Sequence, residues 1–493
     1  MDRLLELSAT QLARRIRARE LTATDVVEVH LRRLRAVNPV LLAVVEPRER
    51  IARDEARAAD ERIARGGTDD LPPLFGVPVT VKECFALTGF KQTSGLPSRR
   101  SYVASTDATA VARLKSAGAI ILGTTNVSEL CMWMESDNRV YGRTRNPYDP
   151  RRIVGGSSGG EGAIVGSGAS PLGLGSDVGG SIRLPAFFNG VFGHKPSPGV
   201  VPNSGQYPAG HGPVRRMLGT GPIARRAEDL VTALRVFAGP DGVDEICKPT
   251  TLGDPYGVDL STLRVTSVPS DGLHTVEPPL VEAQARAADA LATLGATVDT
   301  RSFAGFREAI TLWASVLELG DGPSFKELMA DGLPMSLPLE LTRTLLGRGD
   351  HTLPAVALGV LESVSPLLPG KKRFLRRVEE LKGELHKYLG RDGVLLYPSY
   401  PRIAPLHGEP LRAPTAWVYT ALFNVLECAV TQVPLGLDSR GLPLGIQVVG
   451  APGSDHVTLA VALALEARFG GWVPPWKSPS WKSNVPHASH VAA

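Results

Sequence analysis

This sequence predicts an α/β fold: a large, mixed, twisted β-sheet covered by helices on both faces. Three observations lead there. Short apolar stretches of strand length alternate with longer stretches of helical periodicity, the pattern of strands joined by covering helices. The helical stretches stop at glycines, notably Gly118 and Gly295, the preferred residue just past a helix end. Finally, 493 residues with 43% hydrophobic and 21% charged side chains are ordinary globular values.

Residues 1–66 read as N-terminal helices. Ser8-Ala9-Thr10-Gln11 is a capping-box pattern, and Thr22-Ala23-Thr24-Asp25 is a looser start signal. "RDEARAADERIARGG" is a polar helix stopped at Gly66-Gly67. Residues 67–302 form the core. In "FGVPVTVKE", Val77, Val79 and Val81 alternate as a strand would, and Lys82 ends it. "ATAVARLKSAGAIILGTTNVSEL" gives a helix, the Gly118 stop and a strand at Ile120–Leu122, and "VEAQARAADALATLGATV" repeats that plan. Residues 303–390 are helical and rich in Leu and Met, a helical insertion that either lines a channel or covers a sheet face. In residues 391–470, "GVLLYPSYP" is strand-like and "GLPLGIQVVG" is expected to close the sheet. The Pro-, Ser- and Trp-rich residues 471–493 read as a flexible tail. This is one large domain with an insertion, not two independent domains.

A formal charge of +4 gives no reason to expect nucleic acid. "RRIRAR" and "KKRFLRR" read as solvated helix faces. Four cysteines, Cys84, Cys131, Cys247 and Cys428, are far apart with no paired spacing, which argues against a disulfide framework or a metal site. A charged N-terminus and the lack of 18 consecutive apolar residues argue against a signal peptide or membrane span. The expectation is a cytoplasmic protein with no cofactor, no metal and a small-molecule substrate.

The unusual stretch is "IVGGSSGGEGAIVGSGASPLGLGSDVGGSIRLPA", Ile153–Ala186. Glycine is costly inside regular elements, so such density needs a reason. A flexible linker would be polar throughout, and this one is interrupted by "AIV" and "PLGLG". Two chemical readings compete. Gly155-Gly156-Ser157-Ser158-Gly159 matches G-x-S-x-G, but no histidine stands in a motif marking it as the base that elbow needs. The other reading joins Lys82, Ser157 and Ser181. A serine hydroxyl is a weak nucleophile until a base takes its proton. A lysine serves as base only when neutral, and burial on an apolar strand disfavours the ammonium form. Ser157 would relay the proton from Ser181 to Lys82. Amides of Val178, Gly179, Gly180 and Ser181 would face the oxyanion, since glycines let the backbone close in.

"GVPVTVKE", "GGSSGGEGA" and "GSDVGGSIRLPA" together resemble the amidase signature family, and the match runs over nearly the whole chain. Within it the likeness is closest to the fatty-acid amide hydrolases, carried by "VKECFALTGF", "SELCMWMESDNRVYGRTRNPYDP" and "PAFFNGVFGHKPSPGVVPN". The resemblance implies that Ser181 is the acyl-enzyme nucleophile. It makes Ser157, preceded by a cis peptide, the bridging serine, and Lys82 the base that later protonates the leaving amine. By the same matching Ser158, Asp177 and Arg183 support the site, and Met132 and Trp133 flank the substrate cleft. Membrane-bound relatives carry an N-terminal transmembrane segment, and the expectation is that this protein has none. Amidotransferase subunits differ after "GGSIR", which disfavours a partner-dependent role. Relatives are often dimers, so a homodimer is carried over as an expectation. The expected activity is hydrolysis of amides with apolar acyl or aryl groups, with esters and carbamates as further substrates.

Overall fold

The computed structural model describes residues 3–66, 70–364 and 371–479. Its frame is an 11-stranded sheet built from β1 (Val44–Pro47), β2 (Pro78–Lys82), β3 (Ile120–Thr125), β6 (Leu172–Asp177), β7 (Phe192–Lys195), β8 (Gly219–Ala224), β9 (Arg264–Ser267), β10 (Thr297–Thr300), β11 (Gly393–Tyr397), β12 (Ala429–Leu437) and β13 (Pro443–Gly450). A separate hairpin pairs β4 (Asp137–Asn138) with β5 (Gly142–Arg143). The order across the sheet is β1-β3-β2-β6-β8-β7-β12-β13-β11-β9-β10. It is mixed: β2 runs parallel to both β3 and β6, β9 to both β11 and β10, and the strands from β6 to β11 pair antiparallel.

The N-terminal capping signals are used. Ser8 Oγ accepts from the Gln11 amide at 2.8 Å and heads the helix Ala9–Arg17. Thr22 does the same through the Asp25 amide for Ala23–Leu41. All five residues of β2 are buried. Its valines alternate, but both faces of this interior strand are covered, so Lys82 enters the interior with them. "GLPLGIQVVG" forms β13, which lies between β12 and β11 rather than at an edge. The edges are β1 and the mostly exposed β10.

Between β10 and β11 stand the helices Ala309–Leu317, Phe325–Ala330, Leu337–Leu345, Leu353–Val364 and Lys371–Leu389. Part of this segment has its own apolar cluster, in which Phe325, Met329, Ala355 and Val356 meet Leu96 and Leu130 of the core. One expectation is corrected: residues 471–479 are packed, not a loose tail. Trp472 is 2% exposed, its indole donates to the Gly166 carbonyl at 3.0 Å, and its ring meets Trp476 edge-on. An aromatic pair this apolar finds more to bury against the sheet's helices than its Pro/Ser-rich surroundings suggest. The rest of that expected tail lies outside the described residues. Among the described residues no helix is long and apolar enough to cross a membrane.

Candidate active site

Lys82, at the end of β2, is fully buried, and its amine nitrogen sits among hydroxyls. Nζ lies 2.7 Å from Ser157 Oγ and 2.8 Å from Ser176 Oγ, with the Ser176 carbonyl at 3.5 Å. The register makes this possible: Thr80 and Val81 pair with Gly173 and Leu174, which brings Ser176 of β6 alongside the lysine. Ser157 follows a cis Gly156–Ser157 peptide and precedes the helix Gly159–Gly166. A loop, not a strand, leads into it, so the strand–turn–helix setting of a nucleophile elbow is missing. Gly156 has no room for a side chain, because an added Cβ would strike the Trp133 carbonyl. Ser158 works as a strut: its amide donates to the Ser181 carbonyl at 3.2 Å and its hydroxyl to the Ser176 carbonyl at 3.2 Å.

Ser181 sits in the turn between β6 and the short helix Arg183–Phe188. Asp177, the last residue of β6, organises that turn. Its carboxylate accepts from the amides of Gly180 at 2.7 Å and Ile182 at 3.0 Å, and from Arg183 Nε at 3.0 Å and Nη2 at 2.9 Å. Burial alone would raise the Asp177 pKa. The Arg183 charge and these donors outweigh it and hold the carboxyl well below its usual range. Arg183 in turn reaches the Thr420 carbonyl at 2.8 Å, Gln447 Oε1 at 2.9 Å and Asn424 Oδ1 at 2.5 Å. Both ions are fully buried, and every bond just named helps to offset their desolvation.

This geometry corrects one expectation. The Gly180 N–H is spent on Asp177, so it is not an oxyanion donor in this arrangement; the amides of Val178, Gly179 and Ser181 lie outside that carboxylate's grip. Gly180 is still required. Its φ is +124°, and an added Cβ would strike Thr420 Oγ1, which donates to the Gly179 carbonyl at 2.8 Å. Trp313 of the insertion donates to the Val178 carbonyl at 3.0 Å.

Ser157, Ser176, Val178 and Ser181 open onto one cavity of about 500 Å³. Leu130 and Met132 form part of its wall, and Leu317, Phe325 and Leu328 of the insertion face it. Trp133 is not among the lining residues, contrary to expectation; its amide donates to Ser128 Oγ at 3.2 Å, and its carbonyl closes the space beside Gly156. Three site residues were missed by sequence reasoning: Ser176, Cys84 and Cys131. Cys84 Sγ is 3.7 Å from Ser176 Oγ. Burial raises the Cys84 thiol pKa, whereas a hydrogen bond from Cys84 and the nearby Lys82 lower that of Cys131. Ser176 had a signal, since it precedes Asp177 in the quoted motif; which strand residue it would neighbour depends on a register the sequence does not carry. The cysteines had none. Among the described residues no group of three or more His, Cys, Asp or Glu side chains is arranged to hold a metal ion.

The amidase family model matches residues 25–459. The chain belongs to the amidase family. As an amidase it is similar over most of its length to curated relatives. It is 47% identical to fatty-acid amide hydrolase 2-B of Danio rerio, covering 96% of this chain and 91% of that one. It is 46% identical, with the same coverage, to fatty-acid amide hydrolase 2 of Homo sapiens. Among solved structures it resembles 6-aminohexanoate cyclic dimer hydrolase, with a TM-score of 0.78 and 27% identity over 98% of this chain and 100% of that one. A bacterial aryl acylamidase of the amidase signature family shares the fold, with a TM-score of 0.80 and 24% identity over 96% and 99% of the two chains. This amidase is an amide hydrolase.

Proposed function

We propose that this amidase cleaves carboxylic amides through an acyl-enzyme on Ser181, with Ser157 as proton relay and Lys82 as base. The observation that carries this reading is the 2.7 Å contact between the buried Lys82 amine and Ser157 Oγ, at the wall of the cavity that Ser181 also lines. Lys82 takes the Ser157 proton as Ser157 takes that of Ser181, whose oxygen attacks the carbonyl carbon. The oxyanion forms against the amides of Val178, Gly179 and Ser181. When the C–N bond breaks, the proton held on Lys82 returns through Ser157 to the leaving amine. Water then attacks the acyl-enzyme by the same relay, releasing the acid and restoring Ser181. Asp177 and Arg183 hold the nucleophile's turn and touch no substrate.

The acyl side is apolar, fatty or aryl, because Leu130, Met132, Leu317, Phe325 and Leu328 border the cavity. The fatty-acid amide hydrolase names of the relatives agree with that choice. Esters and carbamates present the same carbonyl to the same nucleophile, so they belong to the substrate range. A fluorophosphonate probe followed by mass spectrometry tests the assignment: the adduct is expected on Ser181, and labelling elsewhere overturns it. Turnover of a simple anilide by the purified chain alone separates this reading from a partner-dependent role such as that of the glutamyl-tRNA(Gln) amidotransferase relatives.

A further inference from the structure

Beside the cavity lies a carboxylate that the proposed chemistry does not use. Glu129 is 2% exposed, immediately before Leu130 and Cys131, two consecutive non-glycine residues with φ near +52° and +59°. Such a turn is disfavoured for L-residues and persists only where its surroundings hold it. The holding groups come from the insertion, more than 200 residues away. His351 Nδ1 lies 2.5 Å from Glu129 Oε1, and the Thr352 amide and hydroxyl each donate to Oε2 at 2.8 Å. His351 is itself fixed, because Glu340 Oε1 accepts its amide at 3.0 Å and that of Asp350 at 2.7 Å. On the core side the Leu130 amide donates to the Ser94 carbonyl at 2.8 Å.

The two sides joined here are the two walls of the cavity. Leu130 and Met132 stand one and three residues after Glu129, while Phe325 and Leu328 stand on the insertion, and Leu130 packs with Phe325 and Val356 in one buried cluster. A wholly apolar contact would let the insertion slide. A buried carboxylate with three donors in fixed directions sets a single register, since any shift leaves a buried charge unpaired.

We propose that Glu129 and His351 form a latch that sets acyl specificity: the Glu129–His351–Thr352 contact holds the insertion's apolar wall against Leu130–Met132 and so builds the end of the cavity that receives a long acyl chain. This rests on the acyl-enzyme reading above. Both are positioning residues, since neither lines the cavity nor touches the reacting atoms.

The test uses the p-nitroanilides of acetic and decanoic acids with the full-length chain. His351→Ala removes the imidazole from the insertion side. It is expected to raise KM for the decanoyl anilide about tenfold, the loss of one hydrogen bond to a charged group. The kcat for that substrate and both constants for the acetyl anilide should stay within about twofold. His351→Asn keeps an N–H donor near the position of Nδ1 and is expected to recover most of the decanoyl KM. Equal losses on both substrates, or no loss on either, overturn the proposal. Hydrogen–deuterium exchange gives a readout independent of activity. In His351→Ala, amides 129–133 and 350–356 are expected to exchange faster together, and unchanged exchange at 129–133 overturns the latch whatever the substrate. Failure of the acyl-enzyme reading itself would appear separately, as absent probe labelling of Ser181 in the wild type.

Discussion

A buried lysine whose two shortest polar contacts are serine hydroxyls is an unusual residue, and two consequences follow for single side chains. Lys82→Ala removes the proposed base, so amide turnover should fall by about 10²–10⁴-fold. Steady-state kinetics on an anilide check this, with circular dichroism confirming the fold, and undiminished turnover would reject the role. The second consequence concerns Glu161, fully buried in the helix Gly159–Gly166, where Thr80 Oγ1 and Thr125 Oγ1 donate to it at 2.6 and 2.9 Å. Burial pushes its carboxyl up to about 8, against the pull of those hydroxyls and of Lys82. The folded value lies above the ordinary 4.5, so the protonated form favours folding. That contribution is complete below about pH 4.5 and is lost as pH rises through about 8. Glu161→Gln imitates the protonated form at every pH. Relative to wild type it should gain stability between about pH 5 and pH 9, and a urea-unfolding difference that does not change with pH would refute this. At this scale much was legible. Lys82, Ser157 and Ser181 stand in dense motifs, and the structure brings Lys82 and Ser157 into contact and Ser181 to the same cavity. The fate of the Gly180 amide was not legible, because it depends on where the Asp177 carboxylate points.

The element that matters most is the end of β6 with its turn and the short helix Arg183–Phe188. Arg183 and Asp177 are both fully buried and paired at 2.9 Å. Replacing the arginine leaves an uncompensated buried carboxylate, which costs about 3–5 kcal/mol. Arg183→Met should therefore lower the urea midpoint strongly, and an unchanged midpoint would show that the pair is dispensable. Gly180→Ala should cost more than about 1 kcal/mol through its positive φ alone. The variant should also slow fluorophosphonate labelling of Ser181, because Thr420 must move; labelling at the wild-type rate would mean that the turn tolerates a side chain. Strands were legible where apolar runs lay between turn signals, as in β2, β3, β11 and β13. β7 was not: "FGHK" has no period-two pattern, and it is a strand because β12 and β8 flank it. The helix Arg183–Phe188 has no capping side chain and carries Pro185, so nothing local announces it.

For the molecule as a whole, the sheet order was the least legible feature. Fold class followed from alternating periodicities, but β7 lies beside β12 and β13 beside β11, pairings that close long loops and leave no local trace. The packed residues 471–479 belong to the same scale. Trp472 covers the helix Gly159–Gly166 from the far end of the chain and meets Arg225 in a cation–π contact. Trp472→Ala should lower stability by about 3–5 kcal/mol, the usual cost of emptying a buried tryptophan site. A thermal melt would show it, and a shift within error would restore the picture of a loose tail.

The arginine that steadies the turn of Ser181, the proposed nucleophile, looks for its own partners to Thr420, Asn424 and Gln447. A ribosome therefore delivers Lys82, Ser157 and Ser181 long before it delivers what locks them in place. Nascent chains halted before Asn424 should carry all three side chains and still hydrolyse nothing, so competence waits until Gln447 has been made.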